Sequence, residues 1–148
     1  MSALMIENKI TFEKILPTEQ QIKLLFDLLT TRKHVISHKV MPNFAAHQDF
    51  VRSNPYVVWY LVFMQDDCLG SYYINHDNTL GIHIIDGQLA ACLGQILQFT
   101  KDNHQPLPAI KSVRGASFAI NVAPSNQEFM GLLDNYGLEI LQMTYSLH

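Results

Sequence analysis

A histidine stands in the middle of the β-rich run Leu80-Gly81-Ile82-His83-Ile84-Ile85. An imidazole has an unperturbed pKa of about 6.5, so a histidine on a strand can take a proton from a nucleophile near neutral pH, as a general base does. His83 can equally be packed or hydrogen-bonded on a sheet, and the sequence leaves both readings open. Ser37 and His38 fall in a polar stretch between two helical patterns, which by itself reads as a solvated loop. Trp59, Tyr60, Tyr72 and Tyr73 lie on neighbouring strand-like runs and can line a cleft or make cross-strand aromatic pairs. The chain has seven histidines, but only His34 and His38 are spaced i,i+4, with His47 and Asp49 the next donors, so no metal site is expected. Cys68 and Cys92 form no CxxC or Cys/His pattern and are expected to be free thiols.

The elements that must position these side chains follow from periodicity. Residues 6–16 alternate apolar and polar and read as a strand ended by Pro17. Thr18 then caps a helix whose Ile22, Leu25, Phe26, Leu28 and Leu29 share a face. Residues 44–53 read as a second helix, stopped by Asn54-Pro55. Residues 56–63 and 69–74, joined by Gln65-Asp66-Asp67, predict a hairpin, and 80–85 a third antiparallel strand. Helical spacing returns at 89–99. Residues 117–122 predict a strand, 126–135 a helix closed by Gly137, and 139–147 a last, alternating strand. The order is β-α-α-β-β-β-α-β-α-β, an α/β (α+β) chain with a mixed, mostly antiparallel central sheet flanked by helices.

A length of 148 residues, without repeats or a linker, predicts one domain over 1–148. The 48% hydrophobic content against 16% charged implies a filled core, with apolar surface that a second copy could use in a homodimer. A net charge of -3 with scattered Lys and Arg argues against nucleic acid and anionic membrane as partners. The expectation is a cytoplasmic protein, since no signal-like or spanning run is present.

This element order resembles that of the GNAT superfamily of acyl-CoA-dependent N-acyltransferases over nearly the whole chain, and three motifs support it. Residues 80–94 resemble the family's fourth strand and pyrophosphate loop, Gln/Arg-x-x-Gly-x-Gly/Ala. Here the loop is degenerate: Leu89 and Cys92 occupy the first two signature positions and only Gly94 matches. The segment Ile120-Asn121-Val122-Ala123-Pro124-Ser125-Asn126, followed by Leu132, Leu133 and Gly137-Leu138, resembles the family's Asn-Val-x-Pro-x-Asn strand-to-helix junction. The tail Leu141-Gln142-Met143-Thr144-Tyr145-Ser146-Leu147 is similar to the closing strand of small bacterial members.

The resemblance implies a transferase that moves an acetyl or other acyl group from acetyl-CoA to the amine of a small molecule, with His83 as base. It implies cofactor contacts at Ile84, Ile85, Cys92, Gly94, Gln95, Asn121 and Asn126, and an acceptor pocket involving Ser37, His38 and Tyr72. Asn126 also stands where a helix N-cap belongs. The family's tyrosine acid falls on Leu133, with Tyr136 three residues on. These departures support the alternative of a GNAT-fold module that binds a ligand or protein without catalysis.

Overall fold

The computed structural model describes residues 9–31 and 42–147. Nine elements follow one another among them: β1 (Ile10–Lys14), α1 (Glu19–Leu29), α2 (Phe44–Ser53), β2 (Val58–Met64), β3 (Asp67–Ile74), β4 (Thr79–Ile84), α3 (Leu89–Asn103), β5 (Ala119–Ile120) and α4 (Gln127–Asn135). The strands form one sheet in the order β1-β2-β3-β4-β5. Pairing is antiparallel from β1 to β4 and parallel between β4 and β5. The mixed, mostly antiparallel sheet flanked by helices is the architecture expected from the periodicity.

Alternation along the strands divides the core between the two faces of the sheet. Ile22, Leu25, Val51, Trp59 and Leu61 pack together on the α1/α2 face. Tyr60, Val62, Tyr72, Ile74, Leu80 and Ile82 pack with Leu93 and Ile96 of α3 and Phe129 of α4 on the other. Thr18 and Gln21 form a capping box at the start of α1. The buried Gln21 amide also donates to Glu13 (2.8 Å) and to the Lys14 carbonyl (3.0 Å), which fastens the helix to the end of β1. His47 of α2 donates from Nε2 to the Ile22 carbonyl of α1 at 3.0 Å, so the two helices are joined through a buried imidazole.

A single asparagine places β5. Asn78, buried in the turn before β4, donates to the carbonyls of Leu107 and Gly115 and accepts from the Leu107 N–H at 2.7 Å. Its own carbonyl accepts from Ala119 at 3.0 Å. The long connection after α3 is therefore tied to the turn, and β5 starts in register beside β4.

Three expectations differ from the structure. The strand predicted over 117–122 is reduced to Ala119–Ile120. The helix predicted over 89–99 runs on to Asn103. The final strand predicted over 139–147 does not form: residues 138–147 are in no regular element and all are exposed. The alternating pattern is there, but a strand needs a neighbour for its backbone N–H and C=O groups, and no strand among the described residues pairs with this segment. Among the described residues, no helix is long and apolar enough to cross a membrane.

Candidate functional site

The pairing of β4 with β5 covers only Thr79↔Ala119 and Leu80↔Ile120, and the Asn121 N–H to Leu80 carbonyl bond (3.1 Å) closes it. Beyond that point β4 runs on to Ile84 paired with β3 and no longer with β5. On its other side the Ile85 N–H donates to the Leu69 carbonyl at 2.8 Å. Backbone direction alternates along a strand, so the N–H and C=O groups of Ile82 and Ile84 are turned to the side that β5 has left. Beside this stretch of β4 lies a cavity of about 140 Å³. Ile82 to Ile85 form one wall, the start of α4 with Asn126 and Phe129 another, and Leu28 and Thr31 at the end of α1 a third. Asp86 and Glu128 add two carboxylates to the lining.

His83 lines this cavity. Its Nε2 lies 3.4 Å from the Tyr73 hydroxyl of β3. Tyr73 reaches it by lying across Gly81, where a Cβ would overlap the tyrosine ring. The ring is held by stacking on Tyr56, with centroids 3.8 Å apart. Gly81 is thus required for a close approach, a role that its place in an apolar run did not reveal.

The start of α3 has the features of an anion site. Gly87 turns the chain with φ +83, and no side chain caps the helix at Gln88. The orphan N–H groups of the first turn and the helix dipole face an end where Ala90 and Ala91 are small and exposed. Asp86, just before this end, adds a negative charge.

The residues expected at the site separate into distinct groups. His83, Ile84, Ile85 and Asn126 come together at the cavity, although Ile85 spends its N–H on Leu69 and its carbonyl on the Gln88 N–H. Asn126 caps α4, accepting from the Phe129 N–H at 3.2 Å, and lines the cavity as well. Asn121 is exposed, with its N–H committed to Leu80. Cys92 is buried within α3 on its core side, and burial pushes its thiol pKa up. Gly94 lies in the second turn of α3, where a Cβ would meet the Tyr136 hydroxyl. Gln95 accepts from the Ile10 N–H at 3.0 Å and ties α3 to β1.

Tyr72 is fully buried on the α3 face, 3.1 Å from the Thr100 hydroxyl, and burial raises its pKa far above the usual phenol value. Strand alternation explains why Tyr73, and not Tyr72, faces His83. Ser37 and His38 lie outside the described residues. Sequence reasoning passed over Leu28, Thr31, Asp86 and Glu128, which become neighbours only through the tertiary fold.

Solved structures share this architecture over almost all of the chain. The N-acetyltransferase PseH of Campylobacter jejuni, in complex with acetyl coenzyme A, superposes with a TM-score of 0.61 at 14% identity, covering 92% of this chain and 92% of PseH. A domain from Methanocaldococcus jannaschii gives a TM-score of 0.65 at 14% identity, again over 92% of each chain. The chain has the GNAT fold. The aminoglycoside N-acetyltransferase AAC(6')-Ib11 shares the GNAT fold as well, with a TM-score of 0.57 at 13% identity over 87% of this chain and 85% of its own. No protein-family model and no curated protein matches the sequence.

Proposed function

We propose that this chain is an acyl-CoA-dependent N-acyltransferase that transfers an acetyl group from acetyl-CoA to the amine of a small molecule. The observation that carries the reading is the end of β4–β5 pairing at Leu80, with His83 lining a cavity beside the stretch of β4 that follows. The occurrence of the same fold in PseH, whose structure holds acetyl coenzyme A, supports it. The open N–H and C=O groups of Ile82 and Ile84 can pair with an extended amide chain such as pantetheine. The uncapped first turn of α3 can hold its pyrophosphate. Cys92 does not obstruct that approach, because its side chain points into the core.

Acetyl-CoA supplies a thioester carbonyl as electrophile. The chain's part is to hold an amine beside it in the neutral form and to remove the proton released on attack. Asp86 and Glu128 would draw a cationic amine to the cavity, and His83 would accept its proton, directly or through one water. Tyr73, fixed by Tyr56 and by the space over Gly81, keeps the imidazole oriented.

One observation favours the second reading, a module that binds without catalysis. Leu133 is a half-buried core residue and the Tyr136 hydroxyl packs over Gly94, so no tyrosine of α4 lines the cavity as a proton donor.

Calorimetric titration with acetyl-CoA and with free CoA, followed by an amine screen for thiol release, separates the readings. The acyltransferase reading expects binding at micromolar strength and turnover with at least one amine. His83→Ala should lower kcat/KM by about 10²–10⁴-fold while leaving acetyl-CoA affinity unchanged. Absence of both heat and thermal shift at millimolar cofactor would overturn it.

A further inference from the structure

Resting on the acyltransferase reading, we propose that Asn78 is a positioning residue for acyl-CoA binding. From outside the cavity it holds β5, and with β5 the start of α4, at the spacing from β4 that the cofactor needs. Little else fixes β5. Two of its residues are in register with β4, Ala119 with Thr79 and Ile120 with Leu80, and it stands at the end of the sheet. The start of α4 brings Asn126, Glu128 and Phe129 to the cavity. Of α4 itself only Phe129 is buried, with Leu132 and Leu133 partly so. That is a light hold for one wall of a binding site.

Asn78 supplies the missing hold. Its buried amide donates to the Leu107 and Gly115 carbonyls, both at 2.9 Å, and its Oδ1 accepts from the Leu107 N–H at 2.7 Å. Leu107 and Gly115 lie near opposite ends of the connection from α3 to β5, so one side chain gathers both ends. The Asn78 carbonyl then accepts from the Ala119 N–H at 3.0 Å and places the first residue of β5. The anchor is itself firm. Its turn is closed by the Asn75 N–H to Thr79 carbonyl bond (2.8 Å) and by Asp77, which accepts from the Thr79 N–H at 3.0 Å. Asn78 takes φ +69 there, a left-handed conformation that asparagine tolerates better than most residues. Arg114 adds an exposed brace, donating to the carbonyls of Pro108 and His76. After β5, Ala123 is buried and the Asn126 N–H donates to its carbonyl at 2.9 Å, so a shift of β5 is passed on to the cavity wall.

A loosened β5 leaves the cavity correctly walled in only a fraction of molecules. Apparent affinity falls by that fraction, whereas the rate at saturation does not, because bound cofactor selects the correctly walled state. This split between KM and kcat separates positioning from a general loss of stability.

The test measures acetyl-CoA affinity by calorimetry, and KM and kcat by thiol release, in the full chain. Asn78→Gly keeps the left-handed backbone and removes the side-chain bonds. It should raise Kd and KM for acetyl-CoA about tenfold or more while kcat stays within about twofold. Val51→Ala truncates a fully buried side chain on the α1/α2 face and should leave acetyl-CoA affinity unchanged. Hydrogen exchange reads the same point without activity: the Ala119 and Asn121 amides should lose protection in Asn78→Gly, those of β2 and β3 should keep it, and acetyl-CoA should restore the lost protection. Should Asn78→Gly not fold, Arg114→Ala loosens the same connection from the surface and should show the same changes at smaller size. Unchanged affinity, an equal loss in Val51→Ala, a fall in kcat as large as the rise in KM, or undiminished protection at Ala119 and Asn121 would each overturn the inference while the acyltransferase reading stands. An unaltered chain that binds no acetyl-CoA would remove that reading, and the inference with it.

Discussion

The two sides of the sheet are built on opposite plans. From β1 to β3 the strands pair over their lengths. Aromatic rings seal both faces there: Phe12 stacks on Phe99 at 4.0 Å and Tyr60 on Tyr72 at 5.3 Å on the α3 side, and Trp59 meets Phe50 at 6.0 Å on the other. From β4 to β5 only two residue pairs are in register before the strands part. Polar and ionisable groups follow the same division. At the closed side His47 and His104 are held by hydrogen bonds and burial lowers the pKa of each, with Lys14 adding to the effect at His104. At the open side His83, Asp86, Asn126 and Glu128 line a cavity. Stability is concentrated where the strands pair over their lengths, and binding capacity where a strand leaves backbone groups for something else.

The largest effect should come from the closed side. Tyr72→Ala removes a fully buried ring in contact with Phe12, Tyr60 and Thr100. It should cost about 3–5 kcal/mol in chemical denaturation, as large aromatic truncations in cores do. Ile84→Ala, at a half-buried site on the open side, should cost less than half as much. Equal losses would mean that the open side is packed like the rest.

The pH dependence of stability should also come from the closed side. His47 has a folded pKa below its ordinary value because burial disfavours the cation, partly offset by its hydrogen bond to the Ile22 carbonyl. The unfolded chain therefore binds the proton more readily. The stability from neutral His47 is complete above about pH 6.5 and declines as pH falls toward the lowered folded value. Thermal unfolding followed from pH 7.5 to pH 5 should show Tm falling with pH, and His47→Gln should make that slope shallower. A slope unaltered by the substitution would assign the effect to other groups, His104 first among them.

The finest comparison uses two helix caps. Thr18→Ala and Asn126→Ala each remove a side chain that accepts from a first-turn N–H, and each should cost about 1 kcal/mol of stability. Only Asn126 also lines the cavity. Its loss should weaken acetyl-CoA binding measured by calorimetry, whereas Thr18→Ala should leave that binding unchanged. If both variants bind equally well, Asn126 is a cap and nothing more.

Much of this molecule is determined by local sequence. Alternation in the first strand, the β-rich runs at residues 56–63 and 69–74, the Thr18 and Asn126 caps and the helical spacing of Leu89, Cys92, Leu93 and Ile96 each mark an element through a pattern within a few residues. His83 could be placed on the strand that faces the cavity for the same reason. The tertiary structure decided what depends on residues far apart in the chain. Tyr73 and not Tyr72 meets His83, because the register of β3 against β4 chooses the face. Cys92, Gly94 and Gln95 serve packing against the core, Tyr136 and Ile10, since a helix rotates successive residues to different neighbours. Asp86 and Glu128 share a cavity although 42 positions separate them. The tail shows the limit of local pattern most clearly: residues 139–147 have the alternation of a strand, but a strand exists only where another backbone supplies its hydrogen bonds.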